Sequence, residues 1–222
     1  MEKVKISDSA DSVQLNNECG YSEQQSGKSQ YSINPKSRSF IESNILLNSE
    51  NTLEGMDIVM VGPVGIKLAA DLVKNNEAQL RTRFTSNFVD ECKELEKLVD
   101  IKQLTTELVK VNPDFLYAVS ETGVFSALWE IGYYCNKGMT IDIPQIPVKQ
   151  EIIEVCEEFG ADPYTGDGRG AVLCVCNNAS NMVEYCTSRG YMAAIIGSIN
   201  NTKDKIAIYG DEERYLEPNR IR

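Results

Sequence analysis

The chain has 222 residues, of which 42% are hydrophobic, and a formal net charge of −11 with no histidine. This length suffices for one sizeable domain or two small ones. The acidic charge argues against a nucleic-acid backbone or an anionic membrane as the main partner. Without histidine there is no Ser-His-Asp triad and no His-ligated zinc site, so any chemistry would use carboxylates, Lys, Cys or a bound phosphate ligand.

Two further features bear on the cellular compartment. No apolar run is long enough to span a membrane, and the first residues lack the apolar core of a secretory signal. The seven cysteines have scattered spacings, which is typical of reduced thiols rather than of a disulfide framework or a metal site. We therefore expect a cytoplasmic protein with no metal site of its own.

Residues 1–39 differ in composition from the rest of the chain. They are rich in Ser, Asn and Gln and poor in large apolar residues. Such a segment buries too little apolar surface to offset the entropy lost on ordering. We predict a flexible tail over 1–39 and a single domain over 40–222.

From residue 40 onward, apolar periodicity and Gly, Pro and Asn breaks predict alternating strands and helices. Ser86 is the predicted N-cap of the second helix, and the wholly apolar segment 171–176 is predicted to be central in the sheet. The pattern predicts an α/β (α+β) domain with a mixed β-sheet and helices packed against it. The predicted strands are 45–47, 57–61, 115–119, 139–143, 171–176, 193–199 and 205–209, and the predicted helices are 66–74, 86–99, 101–111, 124–134, 149–159 and 179–189.

A short turn separates the strand 115–119 from the strongly apolar helix 124–134. The first backbone N–H groups of a helix have no partner inside the helix, so such a turn can bind an anion. The candidate phosphate ligands are Ser120, Glu121, Thr122 and Gly123. Within the helix, Phe125 and Trp129 lie four residues apart, a spacing that predicts a core-facing surface.

A second candidate loop precedes the strand 171–176, and its members are Gly166, Asp167, Gly168, Arg169 and Gly170. Glycines around an arginine can form a concave set of N–H donors for an anion, and the guanidinium would add a fork of donors. The alternative is a connection in which the glycines serve backbone geometry only. The sequence leaves both interpretations open.

The segment from Tyr117 to Gly123, followed by the helix, resembles the carboxy-terminal domain of the AIR synthase-like superfamily. That group includes aminoimidazole ribonucleotide synthetase, a hydrogenase maturation factor, selenophosphate synthetase and thiamine-phosphate kinase, and the hydrogenase-maturation-like branch is the most similar. Further matching segments follow in order and extend the resemblance over about 45–218, namely 55–65, 83–95, 141–151, Cys156, 162–164, 194–197 and 212–218.

The resemblance implies the fold, and it implies ATP and Mg²⁺ as cofactors of the complete enzymes. The chain departs from the family pattern where Tyr117 and Ala118 stand in place of a His and an Asp, and where Thr122 replaces the first Gly of a pair. The family's amino-terminal domain supplies most ATP contacts and the metal-binding acids, whereas this chain has only the Ser-rich tail there. The reactive terminal cysteine of the hydrogenase-maturation branch is replaced by the ending 219–222.

These observations favour a stand-alone, non-catalytic domain that binds a partner or a phosphate-containing ligand. Its partner would be a separate chain with the ATP-binding domain, as in a split ATP-dependent enzyme, or a second copy of itself. The alternative is an ATP-dependent synthetase or hydrogenase-maturation-like factor that is active as an oligomer, with Mg²⁺ held by Glu121 and Asp167. A third interpretation is a structural or regulatory domain without a small ligand.

Overall fold

The computed structural model describes the backbone of residues 45–47 and the whole of residues 54–218. The predicted tail over 1–39 and the domain start at residue 40 lie outside the described residues. The described residues belong to one compact unit, Asn44–Arg222.

Strands and helices alternate along this unit, together with two short 3-10 helices at Glu94–Leu98 and Ile143–Gln145. None of the helices in the described part is both long enough and apolar enough to cross a bilayer. The strands are β1 (Ile45–Leu47), β2 (Asp57–Val61), β3 (Phe115–Ala118), β4 (Gly138–Asp142), β5 (Val172–Cys176), β6 (Ala193–Asn200), β7 (Lys205–Tyr209) and β8 (Glu212–Tyr215). The helices are α1 (Ile66–Arg83), α2 (Ser86–Lys93), α3 (Lys102–Lys110), α4 (Gly123–Tyr134), α5 (Gln150–Glu158) and α6 (Ala179–Thr187).

These eight strands form one sheet in the order β1-β3-β5-β2-β6-β4-β7-β8. Among them β4 and β7 pair in parallel, and the other neighbours are antiparallel. Every residue of β5 is buried, because the sheet continues on both sides of this strand and both of its faces are covered. The predictions of a mixed sheet and of a central strand over 171–176 are confirmed.

Helices cover both faces of the sheet. Successive side chains of a strand point to opposite sides, so the contacts of neighbouring residues in β3 show which helices lie on each face. Leu116 of β3 packs in a cluster with residues of α3 and α6. Its neighbour Tyr117 donates a hydrogen bond to Glu130 of α4, and the Phe115 ring lies 6.0 Å from that of Tyr134. Helix α4 therefore lies on the face opposite α3 and α6. Helices α1, α2 and α5 share a further apolar cluster.

The structure corrects several details of the predicted elements. Thr85, rather than Ser86, caps α2, because its hydroxyl accepts a hydrogen bond from the Phe88 amide at 3.4 Å. The sequence analysis did not predict β8, an edge strand of polar sequence whose four residues are all exposed. Strands β6 and β7 are consecutive in the chain but do not pair with each other, because β4 lies between them.

Candidate ligand site at two adjoining loops

The turn between β3 and α4 depends on Gly123. This residue has a φ of 85°, a left-handed conformation that glycine adopts without steric cost. A Cβ atom at this position would lie 2.7 Å from the carbonyl oxygen of Tyr164 and 2.8 Å from that of Gly166. The backbone of the second loop therefore passes directly over the start of α4.

Backbone hydrogen bonds join the two candidate loops. The Gly168 amide donates to the carbonyl of Ser120 at 3.1 Å, and the Val119 amide donates to that of Ala171 at 2.9 Å. The carbonyl of Asp167 accepts a bond from the Leu68 amide of α1 at 3.1 Å. The two segments singled out in the sequence are therefore neighbours, and α1 holds the second one in place.

The amide groups at the start of α4 already have partners inside the protein. The Gly123 amide donates to Ser120 at 3.2 Å, and the amides of Val124 and Phe125 donate to the carbonyl of Tyr164 at 3.1 and 3.4 Å. The amide of Thr122 lies 3.4 Å from the Ser120 hydroxyl oxygen. In this conformation the carbonyl of Tyr164, two residues before the second loop, occupies the position that the sequence suggested for an anion.

Three glycines of the second loop serve close packing. A Cβ at Gly166 would lie 2.4 Å from a methyl carbon of Leu68, and one at Gly168 would lie 2.6 Å from a methyl carbon of Val119. Gly170 has a φ of 107°. These contacts account for the glycines without a ligand, which is the geometric alternative left open by the sequence.

Arg169 is paired within its own loop. Its Nε lies 3.0 Å from Oδ1 and 3.1 Å from Oδ2 of Asp167. The hydrogen bond to Asp167 raises the pKa of Arg169, and the charges of Glu121 and Asp71 act in the same direction. The guanidinium is therefore surrounded by carboxylates, which compete with any phosphate for it.

The positions that depart from the family pattern take part in internal packing. Tyr117 is buried and donates its hydroxyl to Glu130, whose pKa is raised by burial and lowered in part by this bond. Thr122 is also buried, and its hydroxyl lies 2.8 Å from that of Ser120. Ala118 pairs with Val172 inside the sheet. None of these three side chains projects as a free polar group.

Carboxylates are the remaining candidates for holding Mg²⁺. Among the described residues, no group of three or more His, Cys, Asp or Glu side chains is arranged to hold a metal ion. Glu121 and Asp167 both lie near Arg169, and Asp167 is committed to the ion pair with it. The local arrangement thus favours charge compensation over metal binding.

Sequence reasoning missed a surface feature beside these loops. Phe125 and Trp129, predicted to face the core, are only half-buried. The Phe125 ring stacks on Tyr164 with centroids 5.4 Å apart, and the Trp129 ring stacks on Tyr133 at 5.6 Å. We refer to these four residues as the aromatic stripe. The repeat of aromatic residues at 125, 129 and 133 could have indicated it, because this spacing continues one helix face toward the exposed Tyr133.

The fold is similar to that of several solved enzymes and maturation proteins. HypE of E. coli, a hydrogenase maturation protein, aligns with a TM-score of 0.62 and 20% identity over 78% of this chain and 52% of that chain. The structure of a HypE–HypF complex aligns with a TM-score of 0.54 and 20% identity over 74% of this chain and 53% of that chain. Thiamine-monophosphate kinase from Stenotrophomonas maltophilia K279a gives a TM-score of 0.54 and 17% identity over 70% and 50%.

The fold is thus an α/β fold of the class found in these proteins. The family described as AIR synthase related protein, C-terminal domain, matches residues 54–210. The chain belongs to this family, as the sequence resemblance indicated. It spans about half the length of the solved HypE chain. No curated protein sequence matches it.

Proposed function

We propose that the chain is a non-catalytic AIR synthase-related C-terminal domain that acts as a partner-binding module. The observation that carries this proposal is the closure of the candidate site by its own backbone. The amides of Gly123, Val124 and Phe125 are bonded to carbonyls of the same chain, and Arg169 is paired with Asp167. A phosphate-binding site requires such donors to be directed at the ligand.

The proposed partner is a chain that carries an ATP-binding domain. In the solved HypE structure the matched region accounts for 52% of the chain, so a domain of this type is about half of that protein. A HypE–HypF complex has also been solved, which is an example of a related protein with a protein partner. We propose that residues 54–218 contact an ATP-binding domain on a separate chain and position it without contributing catalytic groups.

Nucleotide binding and turnover by the purified chain test the non-catalytic part of the proposal. Calorimetric titration with Mg·ATP and with inorganic phosphate should give no binding heat, and no ATP hydrolysis should be measured. Arg169→Ala should leave both results unchanged. Stoichiometric ATP binding that is lost in Arg169→Ala, or hydrolysis that Gly123→Trp abolishes, would instead support the ATP-dependent synthetase or maturation factor as the function.

A further inference from the structure

Lys205 of β7 extends across α4 beside the aromatic stripe. A Cβ atom at Gly132 would lie 2.5 Å from Cε of Lys205, so the missing side chain at Gly132 leaves the room that Lys205 occupies. The ammonium lies 5.2 Å from the centroid of the Trp129 ring. Lys205 is half-buried, and Tyr133, which stacks on Trp129, is 43% exposed. The amine therefore lies close to the surface without projecting freely into water.

The surroundings of Lys205 disfavour its charged form. Among the ion pairs of residues 54–218, none involves Lys205. Burial lowers the pKa of its ammonium and the charge of Lys203 lowers it further, whereas Asp204 raises it. Removal from water and a neighbouring cation are the two conditions that make a lysine amine a better nucleophile.

The Trp129 ring indicates which kind of electrophile fits this amine. An aromatic face attracts a nearby cation, so the ring holds the ammonium form of Lys205 in one place. An imine on Lys205 is also a cation when it is protonated, and the ring attracts it in the same way. Attachment of a carbonyl compound thus keeps the contact with Trp129, whereas acylation would remove the charge on which that contact depends.

From this arrangement we propose that Lys205 is the attachment site of a small aldehyde or ketone, which it binds reversibly as an imine. The lone pair of Nζ forms a bond to the carbonyl carbon, and the two hydrogens of the amine leave with the carbonyl oxygen as water, so no oxidant or reductant is consumed. Gly132 and Trp129 lie in the carboxy-terminal half of α4, whereas the two loops adjoin its amino-terminal end. The inference goes beyond the proposed function, because it requires neither a nucleotide nor an ATP-binding partner.

Competitive labelling of the full chain with limiting acetaldehyde and cyanoborohydride tests the site. Cyanoborohydride reduces each imine to a stable ethylamine, which peptide mass analysis assigns to one lysine. At pH 7 we expect Lys205 to be labelled at least about fivefold faster than Lys74. Lys74 is the matched control, because it is exposed on α1 and also lacks an ion pair within residues 54–218. Equal rates at the two lysines overturn the proposal.

Variants and unfolding show whether the folded surroundings activate the amine. Lys203→Gln should slow labelling of Lys205 by at least about twofold, because it removes the neighbouring cation, and Lys74→Gln should leave that rate unchanged. In concentrated urea the advantage of Lys205 over Lys74 should disappear. An advantage that persists in urea, or a rate that Lys203→Gln does not change, overturns the proposal.

Fluorescence measures attachment without the reducing agent. Trp129 is the only tryptophan, so acetaldehyde should change its emission as the imine forms beside the ring. Lys205→Arg keeps a cation over the ring but cannot form the imine, and it should abolish the change. A response of equal size in Lys205→Arg, or no response in the wild-type chain, contradicts attachment at Lys205.

Discussion

Gly123 illustrates how a single residue permits the two loops to meet. Its left-handed conformation turns the chain into α4, and its missing side chain leaves room for the backbone of Tyr164 and Gly166. The sequence identified Gly123 as important and assigned it to a ligand. Only the structure shows that a backbone segment more than forty residues later in the chain occupies that space. Such long-range packing leaves no periodic trace in a single sequence.

A comparison of Gly123 with Gly190 separates the loss of stability caused by a side chain at positive φ from the loss caused by close packing. Gly123→Ala should destabilise the protein by roughly 3 kcal/mol or more, because it adds a clash with fixed backbone to the strain of the positive φ. Gly190 has a similar φ of 82°, and a Cβ atom there would meet no other atom within 4 Å, so Gly190→Ala should cost only about 1 kcal/mol. Chemical denaturation measures both, and equal costs would contradict the close approach of the loops.

Glu130 gives a prediction for the pH dependence of stability. Burial raises the pKa of Glu130 in the folded state, so its contribution to stability is complete below its unfolded pKa of about 4.3. That contribution is lost as the pH rises through the folded pKa. The free energy of unfolding of Glu130→Gln relative to wild type should therefore increase from pH 4 to pH 7.

Glu96→Gln serves as the control for this measurement, because Glu96 is exposed on the 3-10 helix that follows α2. Denaturation curves at several pH values should show no matching trend for it. If the Glu130→Gln difference were constant across this pH range, the buried carboxyl group would not be the source of the dependence.

At the scale of elements, periodicity predicted nearly all helices and strands, because most of them bury one apolar face or both. The helix start at Ser86 was predicted correctly, but the assignment of Ser86 as the N-cap was wrong by one residue, since Thr85 and Ser86 are both good caps and only the backbone conformation distinguishes them. Strand β8 was missed because EERY has no buried position and therefore no alternation. The position of β4 between β6 and β7 could not be predicted from local pattern, because it depends on pairing between distant segments.

The start of α2 provides a direct comparison of the two capping assignments. Thr85→Ala should destabilise the protein by about 1 kcal/mol through the loss of the hydrogen bond to the Phe88 amide. Ser86→Ala should change the free energy of unfolding by less than about 0.5 kcal/mol, because Ser86 is an exposed residue inside the helix. Thermal or chemical denaturation of the two variants distinguishes them, and a larger loss in Ser86→Ala would contradict the observed cap.

At the scale of the whole molecule, the family domain and the mixed α/β fold were predicted from an ordered set of short matches, and residues 54–210 confirm the family. The candidate site was only partly predictable. The sequence located both loops, but it could not reveal that amide donors at the start of α4 are bonded to a backbone carbonyl just before the second loop, as with the Val124 amide and the Tyr164 carbonyl. It also placed Trp129 in the core, whereas the structure leaves it half-buried on a surface.

The most direct test of a partner-binding role is co-purification of the tagged full-length chain from its own cells, with the associated proteins identified by mass. We predict a stoichiometric second chain with an ATP-binding domain, and we expect Arg169→Ala to retain it. Recovery of this chain with nothing but further copies of itself would contradict the proposed partner.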